Sequence, residues 1–298
     1  MKPSTETSVP GRARRHGSLQ QLCRAAGFSR QAYYQGRARQ EKRHHREARA
    51  LEHVRALRAQ LPRLGARKIY HEAYHQFREL KIGRDALLRL LRREDLLVKR
   101  RRRYVSTTDS RHGFQVAGNL LLDRESGTRY RPRRPNEVFV ADITYVETLA
   151  GFRYAALITD AFSRKIVGYD LSASLSVEGS LRALEQALRQ TTKAERKGLI
   201  HHSDRGVQYC CRAYRERLAR AGVRVSMSAT GNPYENALAE RVNGILKQEL
   251  GLDALFVDER QARRALREAV RLYNDRRPHL ALDYCKPSQV HTRYRQAA

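Results

Sequence analysis

From Asn136 onward the chain consists of short apolar runs separated by turns, and this pattern restricts the possible folds most strongly. Three runs, at residues 138–146, 152–159 and 165–171, indicate successive strands. Helical and strand-like segments then alternate at residues 176–190, 199–203, 207–221, 223–227 and 234–250. Neighbouring strands followed by alternating helices and strands predict an α/β domain with a mixed sheet.

The first hundred residues have helical spacing instead. Residues 18–36 indicate a short helix, a turn at Gly27 and a second helix with Ser29 as its N-cap. This is helix-turn-helix spacing, although an ordinary helical hairpin fits the same pattern. In the helix-turn-helix interpretation, a small core of four residues leaves four others partly exposed to DNA. The core residues are Leu19, Leu22, Ala26 and Phe28, and the DNA-facing residues are Arg30, Gln31, Tyr33 and Tyr34.

The rest of this half is also helical. A charged helix is expected at residues 40–60, a helix pair at 65–77 and 83–97, and a run of five basic residues follows at 99–103. The predicted organisation is a helix-turn-helix-like DNA-binding region at 1–103, a basic linker at 104–135, an α/β core at 136–255 and a C-terminal helix and tail at 256–298.

The charge of the chain indicates its partner. It carries 60 Lys and Arg against 31 Asp and Glu, a formal net charge of +29, and the excess is greatest in the first 130 residues. Nucleic acid is the obvious polyanion for such a protein, although a ribosome-like or merely solvated basic surface is the alternative. No apolar stretch is long enough to predict a membrane span, and the four cysteines form no C-x-x-C pair, which suits a reducing cytoplasm.

Two aspartates stand where carboxylates need an explanation. Asp142 interrupts the apolar run 138–143, where an ionised group is costly unless a cation compensates it. Asp204 follows the strand-like segment 199–203, and α/β sheets place functional groups at such strand ends.

A third carboxylate, Glu240, lies on the helix predicted at 234–250. Asn236, Glu240, Asn243 and Lys247 are spaced 4, 3 and 4 residues apart, so they form one polar stripe. Glu240 is therefore expected to point out of the core, toward the edge of the sheet. Lys247 either contacts a DNA phosphate or is simply solvated.

Three carboxylates brought together repel one another and need divalent cations between them. Mg²⁺ and Mn²⁺ prefer oxygen ligands, and two such ions can activate a hydroxyl and stabilise a leaving oxygen in phosphoryl transfer. Taken singly, each acid is more often an ordinary strand-end or helix-surface residue.

Taken together, the motifs resemble a known family. The segments 140–145 (VADITY), 201–209 (HHSDRGVQY) and 231–240 (GNPYENALAE) resemble the integrase-core transposases of bacterial insertion sequences, the insertion-sequence three family. The segments 158–168 and 273–279 are similar to that family too. Asp204 and Glu240 are separated by 35 residues, the spacing familiar in this family and in retroviral integrases.

The resemblance implies an RNase H-like core in which Asp142, Asp204 and Glu240 are the catalytic triad and the ligands of two Mg²⁺ ions, with Mn²⁺ as a substitute. It implies cleavage and strand transfer of insertion-sequence ends by direct transesterification, without a covalent protein–DNA intermediate. The partners would be double-stranded DNA, as terminal inverted repeats and as target, and at least a second copy of the chain. Because the chain has no sustained heptad repeat, a separate product of an upstream reading frame is a further expected partner. The expected location is the bacterial cytoplasm, at the nucleoid.

Other interpretations remain open at this point. A DNA-binding regulator with a silent core would bind DNA regardless of metal, and a nuclease of the same fold would hydrolyse DNA but never join it. Residues 71–75 match the zinc-protease pattern H-E-x-x-H, but Arg78 and Lys81 stand where the extended motif needs Gly and His. His201 is expected to be largely structural and His202 to lie near the site.

Overall fold

The centre of the molecule is a five-stranded mixed sheet. The computed structural model describes residues 18–99, 116–122, 128, 130–228 and 236–296. The strands are β1 (Val138–Thr148), β2 (Gly151–Asp160), β3 (Ile166–Ser172), β4 (Ile200–Ser203) and β5 (Arg224–Met227), in the order β3-β2-β1-β4-β5. β1, β2 and β3 are antiparallel neighbours, whereas β4 is parallel to β1 and β5 to β4. The predicted mixed sheet is confirmed.

In the second half of the chain the helices lie on both faces of this sheet. They are α6 (Val177–Arg189), α7 (Lys193–Arg196), α8 (Val207–Cys210), α9 (Arg212–Arg220), α10 (Ala237–Gln248), α11 (Glu259–Asp275), a 3₁₀ turn (Leu280–Leu282) and α12 (Pro287–Gln296). The single helix predicted at 207–221 is two helices, because Cys211 has extended backbone angles and starts α9 afresh.

Both faces of the central strands are buried, which explains their nearly continuous apolar sequence. On one face, Phe139 and Ile158 pack with α6, α8 and α9 around Tyr214. On the other face, Val146 and Leu157 pack with α10 and α11. α11 therefore belongs to the same apolar core as the sheet, although the sequence places it in a C-terminal segment at 256–298. The domain boundaries stay predictions.

The first half of the described chain is helical throughout, with α1 (Leu19–Ala25), α2 (Arg30–Gln60), α3 (Ala66–Glu72), α4 (Tyr74–Glu79) and α5 (Arg84–Arg93). Ser18 caps α1 and Ser29 caps α2. The cap at Ser29 is the one predicted from the sequence. α2 continues without a break to Gln60, so the charged helix predicted at 40–60 is its second half.

The small core predicted for residues 18–36 is wrong. Leu22 is 59% exposed and Phe28 is 45% exposed, while Ala26 also lies on the surface. Cys23 is the buried residue of α1. The spacing and the caps specify the two helices, but these residues do not enclose an apolar interior.

The zinc-protease pattern is disrupted by the fold. Ala73 leaves helical geometry between α3 and α4, so the two histidines do not share one helix face. His71 stacks on Tyr284 with ring centroids 4.2 Å apart, and Glu72 accepts a 2.8 Å bond from Lys286 Nζ. These contacts are structural, and the protease interpretation is wrong.

Part of the predicted linker packs against the core. Met227 N donates to Gly118 O at 3.3 Å, and Leu120 N donates to Ser226 Oγ at 2.9 Å, so this segment runs beside β5. Across the described residues, we find no helix with the length and apolarity that crossing a membrane requires.

Candidate active site

Asp142 and Asp204 occupy equivalent positions on neighbouring parallel strands. Ala141 of β1 is in register with Ser203 of β4, and each is followed by one of the aspartates. β4 ends at Ser203, so Asp204 lies at the carboxyl end of β4, whereas β1 continues beyond Asp142. Parallel strands are about 4.8 Å apart, so the fold brings these two carboxylates to the same place at the edge of the parallel part of the sheet.

Each aspartate is oriented by a nearby backbone amide. Ile143 N donates to Asp142 Oδ1 at 2.9 Å, and Gly206 N donates to Asp204 Oδ1 at 3.0 Å. Both side chains are half-buried. Their orientation is thus set locally, before any ligand arrives.

α10 crosses β1 directly at Asp142. Asn243 Nδ2 donates to Asp142 Oδ2 at 2.7 Å, and Asn236, which caps the helix, donates from Nδ2 to Ala141 O at 3.3 Å. Glu240 lies between these asparagines on the same stripe and is exposed. The polar stripe predicted from the 4, 3 and 4 spacing therefore faces Asp142.

The charges at this place are coupled. Burial raises the pKa of Asp142 to about 8, with further contributions from the negative charges of Asp204 and Glu240. The hydrogen bonds from Ile143 and Asn243 act in the opposite direction, by stabilising the charged form. All three predicted carboxylates thus contribute to one electrostatic site, where excess negative charge is relieved by a proton or by a cation.

The three carboxylates do not converge on one point, however. Among the residues that the structure describes, no group of three His, Cys, Asp or Glu side chains is close enough to hold a metal ion. Their role as metal ligands stays a prediction.

Lys247, the last member of the stripe, lies over an aromatic ring. Its Nζ is 3.9 Å from the ring centroid of Tyr145, which in turn meets Phe152 edge-on at 5.1 Å. Neither aromatic residue was predicted from the sequence, although the position of Tyr145 inside the motif at 140–145 was a signal for it. A phosphate contact by Lys247 stays a prediction.

The two histidines before Asp204 support the strand. His201 Nε2 and Tyr214 OH are 3.0 Å apart, and burial lowers the pKa of His201 to about 3, so this imidazole is neutral. His202 Nδ1 is 2.8 Å from Ser226 Oγ on the neighbouring strand β5. The structural role expected for His201 is confirmed, and His202 faces β5.

The predicted DNA-facing residues lie at the start of α2. Arg30, Gln31 and Tyr34 are exposed and Tyr33 is half-buried, with the two tyrosine rings edge-on at 5.5 Å. They belong to an element separate from the carboxylates, and their contact with DNA stays a prediction.

Comparison with known proteins identifies the family. Residues 132–233 and 221–287 match two family descriptions, each named "Integrase core domain". A transposase for insertion sequence element IS629 of Shigella sonnei is 32% identical over 283 residues, covering 92% of this chain and 91% of the relative. The chain belongs to the insertion-sequence three family of DDE transposases.

This transposase has another relative in Shigella sonnei, an insertion element IS600 uncharacterized 31 kDa protein. It is 38% identical over 218 residues, which are 73% of this chain and 78% of the relative. Among solved structures, the catalytic core domain of HTLV-2 integrase in complex with magnesium is 19% identical, with a TM-score of 0.42, over 54% of this chain and 99% of that chain.

The family assignment agrees with the topology. Three antiparallel strands joined to two parallel ones, with helices on both faces, form the RNase H-like core of an integrase, as predicted. The transposase is a DDE polynucleotidyl transferase whose activity is DNA transposition and integration.

Proposed function

We propose that Asp142, Asp204 and Glu240 are the catalytic carboxylates with which this transposase cleaves the ends of an insertion sequence and joins them to target DNA. The observation that carries the proposal is the 2.7 Å bond from Asn243 to Asp142. It fastens the helix that bears Glu240 over the strand position where Asp142 and Asp204 stand side by side.

The chemistry of the three carboxylates suits divalent cations. The donor set is made of carboxylate oxygens, which Mg²⁺ and Mn²⁺ prefer, and burial together with the charges of Asp204 and Glu240 raises the pKa of Asp142. We propose two Mg²⁺ ions per site, held by Asp142, Asp204 and Glu240, with Mn²⁺ as a substitute. Such ions lower the pKa of an attacking hydroxyl and stabilise the leaving oxygen during direct transesterification.

The chain itself contributes orientation. The side-chain amide of Asn243 donates to Asp142 Oδ2, and the backbone amide of Ile143 donates to Oδ1. Together the two bonds fix the plane of the carboxylate. Asn236 holds the first turn of α10 to β1 and thereby sets the height of Glu240 above the strand. Gly206 N donates to Asp204 Oδ1 and so restrains that carboxylate. Catalytic side chains held by such partners need little reorganisation when the substrate arrives.

The proposed substrate is double-stranded DNA, both as terminal inverted repeats and as target. A net charge of +29 supports tight, salt-dependent binding to phosphates. Arg30, Gln31, Tyr33, Tyr34 and Lys247 are proposed DNA contacts. Because two ends must be joined, we propose at least a homodimer on DNA, with an upstream-frame product as a further partner and the nucleoid as its location.

The test is a strand-transfer assay with a labelled duplex from the DNA that flanks the coding region, in Mg²⁺ or Mn²⁺. Wild type should give nicked and joined products, whereas Asp204→Asn and Glu240→Gln should give neither while still binding the duplex. Glu268→Gln, the same change at an exposed position of α11, is the matched control and should behave as wild type. Substantial joining by Asp204→Asn would contradict the triad, and nicking without joining by wild type would indicate a nuclease.

A further inference from the structure

The helical half of the molecule contains two helix pairs that differ in how they are supported. At α1 and the start of α2, Leu22 and Phe28 are 59% and 45% exposed, so that pair lacks the interior its sequence suggested. The end of α2 and α3 to α5, by contrast, enclose a compact core, which we call the helical unit (residues 50–97). Its members Val54, Ile69 and Phe77 are each at most 1% exposed.

Within the helical unit, α4 and α5 form a helix-turn-helix. α4 ends at Glu79 and α5 begins at Arg84, so the turn has four residues. Lys81 takes a left-handed conformation with φ of 53°, Ile82 is buried beneath the turn, and Gly83 is the N-cap of α5. Leu87, Leu90 and Leu91 then fasten α5 to the core.

The opposite face of α5 is exposed and carries two arginines, one aspartate and one leucine. Asp85, Leu88, Arg89 and Arg92 follow one another at helical spacing along it. Leu88 is 37% exposed, and neither Arg89 nor Arg92 has an ion-pair partner among the described residues. Arg93, on the flank, is instead held by Glu47 at 2.7 Å.

The helical unit is fastened to the catalytic core. Three contacts join α3 to segments at the far end of α10 and after α11: Lys68 Nζ to Glu249 Oε2 at 3.2 Å, Lys286 Nζ to Glu72 Oε1 at 2.8 Å, and the stack of His71 on Tyr284 at 4.2 Å. Glu249 follows the helix that carries Glu240, so α5 has a fixed position relative to the proposed catalytic carboxylates.

We infer that α5 is a DNA-reading helix, which enters the major groove and contacts base edges through Leu88, Arg89 and Arg92. The inference rests on the proposed function and adds a second recognition element to the DNA contacts proposed at residues 30–34. A helix of this kind needs a rigid support and a face complementary to DNA, and α5 has both.

The side chains on this face suit base recognition. An arginine fork can donate two hydrogen bonds to guanine O6 and N7, and an apolar side chain can contact the thymine methyl group. Asp85 can accept from a cytosine amino group and would repel a misplaced phosphate. The face therefore predicts discrimination between sequences as well as affinity.

The experiment measures binding of full-length protein, without divalent metal, to two labelled duplexes. One is taken from the flank of the coding region, and the other is a scrambled duplex of equal length. Arg89→Ala/Arg92→Ala should weaken binding of the flank duplex tenfold or more, and should weaken binding of the scrambled duplex only as much as any loss of two charges. Arg264→Ala/Arg267→Ala, which removes two exposed arginines from α11, is the matched control and should weaken both duplexes equally.

A charge-conserving variant tests reading separately from charge. Arg89→Lys/Arg92→Lys should bind the scrambled duplex as wild type does and should lose most of the preference for the flank duplex, because lysine cannot donate as a fork. The inference would be overturned if the lysine variant kept its preference for the flank duplex. It would also be overturned if the two double-alanine variants lost equal affinity for both duplexes. The binding assay needs no catalysis, so the outcome of the strand-transfer assay, which tests the proposed function, leaves this result standing.

Discussion

The side-chain amide of Asn243 donates to Asp142 Oδ2 at 2.7 Å and thereby joins α10 to the middle of the central strand. Asn243 is buried, and its own Oδ1 has no hydrogen-bond partner within the described residues. Burying this unpaired amide oxygen has a cost, and the one hydrogen bond that the amide makes is to Asp142, whose pKa is raised to about 8 by burial.

Replacing this amide should therefore harm catalysis more than folding. We expect Asn243→Leu to lower the strand-transfer rate by about 10- to 100-fold, the usual effect of losing a partner that orients a ligating group. Because the bond also lowers the pKa of Asp142, its loss should move the rising limb of the pH–rate profile to higher pH. The measurement is single-turnover joining against pH, beside urea unfolding; a rate loss that merely follows lost stability would contradict a positioning role.

Breaking the ion pair between Glu249 and Arg277 should strongly destabilise the fold. Arg277 is 3% exposed and donates to both oxygens of Glu249 at 2.8 Å, while Lys68 reaches the same carboxylate. Glu249→Gln would leave a buried guanidinium without its counter-charge, which typically costs about 3–5 kcal/mol. Urea unfolding measures the change, and Glu216→Gln, which breaks an exposed pair on α9, should leave the midpoint nearly unchanged.

Acid should destabilise the protein partly through His201. Burial, together with the charge of neighbouring His202, lowers its pKa to about 3, against about 6.5 in an unfolded chain. The unfolded state therefore binds the proton first, so this contribution to stability is present above about pH 6.5 and is lost as the pH falls toward 3. The raised pKa of Asp142 gives the unfolding free energy the opposite dependence on pH, and this contribution is the same in every variant that retains Asp142.

Comparing variants isolates the contribution of His201 to the pH dependence of stability. Between pH 7 and 4, His201→Gln should reduce the loss of unfolding free energy relative to wild type. His75→Gln, at an exposed position of α4, should not. Equal slopes for wild type and His201→Gln would show that another group governs acid unfolding.

Two glycines should respond in opposite directions to alanine. A Cβ at Gly168 of β3 would collide with the backbone oxygen of Ala183 on α6, so Gly168→Ala should destabilise the protein by about 1–3 kcal/mol. Gly244, inside α10, has open space around the same added atom, so Gly244→Ala should raise helix stability by up to about 1 kcal/mol. Thermal unfolding of both variants checks the pair, and a stabilised Gly168→Ala protein would contradict the close packing of α6 on β3.

The sheet could be predicted from the sequence because its signals are local. The runs around Phe139 and Ile158 are apolar on both faces, and Asp142 stands out because a charge interrupts such a run. The stripe of Glu240 and Asn243 followed from helical spacing alone. These features needed no knowledge of distant parts of the chain.

Contacts between distant segments could not be predicted in this way. Lys68 meets Glu249 across 181 positions, and neither residue stands out in its own segment. The cation–π contact of Lys247 with Tyr145 depends on how α10 crosses β1. The core expected around Leu22 and Phe28 failed for the same reason: helical spacing indicates which residues share a face, but not whether anything packs against that face.

The most direct test of the central claim is Mn²⁺ binding, measured by electron paramagnetic resonance on the transposase bound to flank DNA. Wild type and Glu268→Gln should bind Mn²⁺ alike, whereas Asp142→Asn, Asp204→Asn and Glu240→Gln should each lose most of that binding while keeping their affinity for DNA. If all three variants bind Mn²⁺ as wild type does, these carboxylates are not the metal site.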